Sequence, residues 1–434
     1  MSAKRQRNPN RRQATRLLLL LLGLVAAALA VASCSPDRSA PQSDVAPQPL
    51  GLRSDAPTYA LHGAFWVGYD RLTVGSGEER LEVDLWYPAR NPSALEEAAT
   101  YPMQLQSMLL EIPGWPTDLE TVVRGKALEG APLDRSEAPY PLIVFSHGFG
   151  LNAAWYSTLL EHFASHGFVV VAPQHEDPGW EEAWKAAIDR PQLIPRVLDL
   201  AASLTASSGD LAGLIDMESV AVVGHSIGGT TALAVSGAQF DLDAFEAHAA
   251  SLSPEDPGAW ILMPFVGKGQ EMAARAGLDR EPEGLWPTFA DPRIDAIVSI
   301  SSDAFLFDER GLSMLALPLL SIGGTADTGA PYAWGTLPAY QHAESRRKAL
   351  VGFDGAEHMF VSVPCDRMPW IEETPFHEMF CFDPAWEKDR ALDLIHHFST
   401  AFLLDVLGGN PEASAALRPS AVAFDGIIYE TPPE

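Results

Sequence analysis

The chain has 434 residues, room for one large domain with insertions or for about two or three average ones. With 47% hydrophobic and 20% charged residues it has the balance of a globular protein with a sizeable core. Acidic residues outnumber basic ones 57 to 29, a formal charge of −28, which repels phosphate backbones and excludes nucleic acid as the expected partner.

The N-terminus reads as a targeting segment. Lys4, Arg5, Arg7, Arg11, Arg12 and Arg16 form a basic start before an apolar run from Leu17 to Val31, short for a spanning helix. The run ends in Val31-Ala32-Ser33-Cys34. That ending resembles a bacterial lipoprotein signal, which implies a signal peptide over residues 1–33, lipidation of Cys34, export, and attachment to the membrane of a bacterial cell envelope. From 34 to 57 the chain is rich in Ser, Pro, Ala and Asp and reads as a flexible tether. On the exported side of a membrane Cys365 and Cys381 can form a lasting disulfide.

The body is expected over 58–407. Phe65-Trp66-Val67-Gly68 and the alternating Leu81–Tyr87 stretch flank a Gly75-Ser76-Gly77 turn, which suggests a hairpin. Residues 91–139 are irregular and Pro-rich, the expected place of a surface insertion. Short apolar strands then alternate with helices: strands at 141–146, 168–172 and 220–223, helices at 153–166, 181–206 (interrupted by Pro191 and Pro195) and 229–238. This rhythm predicts an α/β fold, a mostly parallel sheet covered on both faces. Residues 239–292, with Trp260, Met263, Phe265 and Trp286 among prolines and glycines, read as a second insertion, a lid, a substrate wall or ordinary packing. Strands follow at 294–300, 317–322 and 348–353, and a helix at 385–407. A polar tail, 408–434, is expected to pack loosely.

Gly224-His225-Ser226-Ile227-Gly228 fits the nucleophile-elbow pattern G-x-S-x-G and lies between a predicted strand and a predicted helix, the context the pattern requires. Ser226 would sit at a sharp turn on a helix N-terminus, whose dipole favours developing negative charge. Two backbone N–H groups must face that charge; Ile227, next to the serine, and Phe149, in the Ser146-His147-Gly148-Phe149-Gly150 loop, are the candidates.

The stretches Tyr140–Gly150, Ala164-Ser165-His166-Gly167-Phe168 and Val220–Gly229 resemble platelet-activating-factor acetylhydrolases and bacterial dienelactone hydrolase-like esterases, and more distantly cutinases. The resemblance covers roughly residues 60–405, most densely 140–235. It implies the α/β-hydrolase fold and cleavage of short-chain or lipid-like acyl esters by a serine mechanism, without metal or organic cofactor. His358, in Gly355-Ala356-Glu357-His358-Met359-Phe360 after the last predicted strand, resembles the family's general base. Asp327, after the penultimate strand, has the position usual in cutinases and dienelactone-type hydrolases. Asp303, after the strand before, resembles the acid-bearing segment of the animal acetylhydrolases. Asp327 is favoured as the acid, with Asp303 as the alternative. His377, His396 and His397 read as packing or surface residues, and His147 and His225 as structural. The rival readings are a dienelactone hydrolase or polyester-cleaving cutinase, or a lipoprotein that keeps the fold only to bind.

Overall fold

In the computed structural model, which describes residues 46–77, 80–103, 121–253, 255–256 and 258–433, the expected hairpin is Trp66–Val74 (β1) with Leu81–Ala89 (β2), paired antiparallel. The basic start, the apolar run and Cys34 lie outside the described residues. Thr100–Pro102 (β3) and Val122–Arg124 (β4) form a small separate ladder, and Leu128–Glu129 (β5) joins the main sheet beside β1. The stretch expected as a surface insertion therefore contributes to the body: Tyr101, Val123, Ala127 and Leu128 are buried.

Tyr140–Ser146 (β6), Val169–Pro173 (β7) and Ile215–His225 (β8) are the apolar strands foreseen after it, with Ser157–Ser165 (α1), Trp184–Thr205 (α2) and Ile227–Val235 (α3) as their helices. Pro191 and Pro195 do not interrupt α2, which runs through both. Ala296–Ile300 (β9), Leu319–Gly324 (β10), Lys348–Phe353 (β11), the long helix Lys388–Gly408 (α4) and Ile427–Glu430 (β12) complete the frame. Among the described residues the sheet order is β12-β11-β10-β9-β8-β6-β7-β2-β1-β5. The centre from β11 to β7 is parallel, and its strands are apolar on both faces because helices cover both.

Two further expectations fail. The tail does not pack loosely: β12 lies antiparallel on β11 and covers that edge, and the Tyr429 ring stacks on Phe398 of α4 at 5.6 Å. The short Ile427-Ile428-Tyr429 run is easily missed in an otherwise polar tail, because an edge strand needs only backbone pairing and one half-buried face. The tether expected up to residue 57 is fixed well before that, since the Leu52 and Arg53 N–H groups both donate to the Asp393 carboxylate at 2.9 Å.

The strand order reverses at the centre. From β6 the chain moves outward to β7, and from β8 it moves the other way to β9, so the carboxyl ends of β6 and β8 flank a crevice, the usual ligand position in open α/β sheets.

Candidate active site

Ser226 stands where β8 becomes α3. Its φ of 57° and ψ of −128° are rare for a residue with a side chain, at a cost of order 1–3 kcal/mol. The surroundings hold it there. Its N–H donates to the Ile300 carbonyl of β9 at 2.9 Å. A Cβ at Gly224 would lie 2.1 Å from the Gly228 oxygen, and one at Gly228 1.9 Å from the Ser146 oxygen. Both flanking glycines are thus required by close backbone approach, as the motif leads one to expect.

His358 follows β11, and its Nδ1 lies 2.8 Å from Asp327 Oδ2 in the turn after β10. The other Asp327 oxygen accepts the N–H groups of Gly329 and Ala330 at 2.8 and 2.7 Å, which fixes the carboxylate's orientation. The loop also presses on the ring: a Cβ on Gly329 would lie 2.6 Å from His358 Cγ. Burial alone would lower the imidazole pKa, but the Asp327 charge and hydrogen bond outweigh it and the pKa is raised above 6.5.

Ser226, His358, Asp303, Phe149 and Ile227 all line one cavity of about 680 Å³. Asp303 is buried, its Oδ1 lacks a hydrogen-bond partner among the described residues, and burial, opposed by the His358 charge, pushes its pKa up to about 7. The two candidate acids therefore separate: Asp327 contacts the imidazole, and Asp303 faces the cavity as a weak acid. The remaining walls are mostly apolar, among them Trp180, Trp260, Phe265, Met379, Phe380 and Phe382. Trp260 and Phe265 come from the 239–292 stretch, which is thus a cavity wall as well as packing: Phe265 and Trp286 are buried, Trp260 is half exposed. Met379 and Phe380 lie within the loop closed by the Cys365–Cys381 disulfide, whose Cα atoms are 5.6 Å apart.

His147, His225, His396 and His397 are buried. His396 stacks on His162 at 4.2 Å in a different part of the fold, and both rings have pKa values lowered by burial. Sequence reasoning passed over Tyr156. His225 Nε2 lies 3.1 Å from the His358 carbonyl, which can only accept. Burial, then the His358 charge, holds His225 neutral, so its Nδ1 accepts from the Tyr156 hydroxyl at 2.8 Å, and that oxygen in turn accepts from the Gly148 N–H at 3.1 Å. Nothing in the local sequence signals such a chain. Among the described residues no cluster of three or more His, Cys, Asp or Glu is arranged to hold a metal.

The structure of a ferulic acid esterase from Streptomyces cinnamoneus superposes with a TM-score of 0.50 over 84% of this chain and 96% of that one, at 20% identity. The chain thus has the α/β-hydrolase fold. The family model described as Platelet-activating factor acetylhydrolase, isoform II matches residues 51–187, and the one described as Chlorophyllase matches residues 131–254. The platelet-activating factor acetylhydrolase of Cavia porcellus is 30% identical over 156 residues, 26% of this chain and 35% of that protein. Chlorophyllase-1 of Arabidopsis thaliana is 28% identical over 182 residues, 37% of this chain and 48% of that one. The chain thus spans about a third to a half of the length of the curated relatives it matches.

Proposed function

We propose that this chain is a serine hydrolase of carboxylic esters, with Ser226 as nucleophile, His358 as general base and Asp327 as the acid that orients it. The observation that carries the reading is a serine in a strained turn sharing a cavity with an imidazole whose Nδ1 is taken by a carboxylate. The opposite nitrogen, Nε2, is left to receive the Ser226 proton as Oγ adds to the acyl carbon. The N–H groups of Phe149 and Ile227 receive the oxyanion. The proton then passes to the departing alcohol, and water, deprotonated by the same imidazole, releases the acid from the acyl-enzyme and regenerates Ser226.

The cavity walls favour apolar acyl esters, short-chain or lipid-like. Among the described residues, Asp303 and Glu357 are the ionisable carboxyls on its lining and no lysine or arginine stands there, so an anionic ester meets no countercharge from them. The cavity volume supports a second reading, a bulky apolar ester, in keeping with the match to chlorophyllases. Purified protein should hydrolyse p-nitrophenyl acetate and butyrate, prefer them to the p-nitrophenyl monoester of glutaric acid, and lose the activity in Ser226→Ala. Equal rates for Ser226→Ala and the parent would end the proposal.

Export and a lipid anchor at Cys34 are part of it, supported by the N-terminal sequence and by a disulfide, which persists in oxidising compartments. Metabolic palmitate labelling that Cys34→Ser abolishes is the expected result; labelling unaffected by that change would contradict it.

A further inference from the structure

One ion pair beside the site has no place in the proposed chemistry. Arg190, inside α2, and Asp177, in the loop after β7, are both almost wholly buried, with 2% and 1% of their side chains exposed. They bind each other through two contacts, Nε to Oδ1 at 3.0 Å and Nη2 to Oδ2 at 2.5 Å. Their remaining polar contacts converge on the loop 147–150 that follows β6. Arg190 Nη1 donates to the His147 carbonyl, Nη2 to the Gly148 carbonyl at 3.4 Å, and Asp177 Oδ2 accepts the Gly150 N–H at 2.8 Å.

We propose that the Arg190–Asp177 pair is a positioning device for the oxyanion-binding N–H of Phe149, fixing both peptide groups that flank it. The inference rests on the hydrolase reading of the cavity and deepens it. In this loop the Gly148 N–H goes to Tyr156 and the Gly150 N–H to Asp177, so the Phe149 N–H between them is the donor left for substrate. A peptide plane can rotate; here the plane carrying that N–H also carries the Gly148 carbonyl, and Arg190 holds that carbonyl. The planar guanidinium reaches two successive carbonyls and a carboxylate at once, which an ammonium cannot do. The charge acts on His147 too. Burial, then the Arg190 charge, lowers its pKa to about 4, so the ring is neutral, donates through Nδ1 to the Gly148 carbonyl at 2.8 Å and accepts the His175 N–H on Nε2 at 3.1 Å. The Gly148 carbonyl is therefore held from two sides. A donor preset in this way is useful only to a charge that develops in the transition state, because a neutral carbonyl gains far less from it.

The test uses Arg190→Lys and Asp177→Asn, which keep charge or shape, with Arg190→Met as the full deletion and circular dichroism to count folded protein. On p-nitrophenyl butyrate, kcat should fall about 30- to 100-fold in Arg190→Lys and Asp177→Asn, less than the roughly 100- to 1000-fold of losing an oxyanion donor outright, with KM within about threefold of the parent. Binding of a trifluoromethyl ketone, which becomes a tetrahedral alkoxide on Ser226, should weaken in proportion to kcat, while the planar methyl ketone binds as before. Folded Arg190→Lys and Asp177→Asn with kcat within threefold of the parent, or with both ketones weakened equally, would overturn the proposal. Ser226→Ala run alongside separates the two failures: full activity there defeats the hydrolase reading itself, whereas its loss beside full activity in the clamp variants defeats only the clamp.

Discussion

Replacing Asp327 by Asn, and separately Asp303 by Asn, distinguishes the two carboxyls near His358. With Asp327 Oδ2 2.8 Å from Nδ1, the imidazolium and carboxylate charge centres are about 4 Å apart, worth about 4 kcal/mol at the effective dielectric of such sites. That interaction exists only once the ring has taken the serine proton, so its loss falls on the transition state and amounts to about a thousandfold in kcat. The sign of the pH effect is fixed as well. The base works when neutral, and the Asp327 carboxylate raises the His358 pKa, so kcat/KM in the parent should climb with pH through a midpoint above 6.5. Without that charge, burial dominates and the midpoint in Asp327→Asn should move to lower pH. Asp303, shifted to about 7, is half protonated near neutrality, so Asp303→Asn should cost less than tenfold. Initial rates on p-nitrophenyl acetate from pH 5 to 9 give both quantities. A greater loss in Asp303→Asn than in Asp327→Asn would refute this assignment.

Gly329→Ala places a methyl 2.6 Å from His358 Cγ, about 1 Å inside normal contact, and should lower kcat about a hundredfold in a folded protein; unchanged kcat would mean the ring position does not matter. Opening the disulfide with Cys365→Ser and Cys381→Ser removes a short-loop cross-link worth about 3 kcal/mol, so the urea midpoint should fall and, because Met379 and Phe380 lie inside that loop, the acyl preference should broaden. Truncation after Gly408 removes β12 and bares the β11 edge, which should give aggregation during size-exclusion chromatography; a monodisperse product would contradict that account. Tyr156→Phe leaves the buried Gly148 N–H without its acceptor and should cost about 1–3 kcal/mol in chemical denaturation.

Much of the frame was legible because central parallel strands are apolar on both faces and stand out as short runs, as at 141–146 and 220–223. The elbow was legible because its G-x-S-x-G pattern sits between an apolar strand and a helix of small residues, although only Gly224 answers to a local contact and Gly228 answers to the Ser146 carbonyl. Elements whose order comes from distant partners were not. Ile427–Glu430 is a short apolar run lost in a polar tail until β11 provides its pairing, and residues 52 and 53 look like tether until Asp393, some 340 residues away in sequence, receives their N–H groups. Proline in α2 misled for a related reason, since a helix packed against the sheet absorbs a missing hydrogen bond that an isolated one could not. Asp327 and Asp303 were both visible as candidates, and only the three-dimensional path of two loops shows which one meets His358. Arg190 and Asp177 gave no sign at all: an arginine in mid-helix and an aspartate in a loop are commonplace until both are found buried against residues 147–150.

The central claim is that one serine hydroxyl is activated by one imidazole, and stoichiometric labelling tests it most directly. A fluorophosphonate should add once per chain, on the peptide bearing Ser226, at a rate that collapses in His358→Ala. An adduct on another residue, or labelling of Ser226 at full rate without His358, would contradict the account.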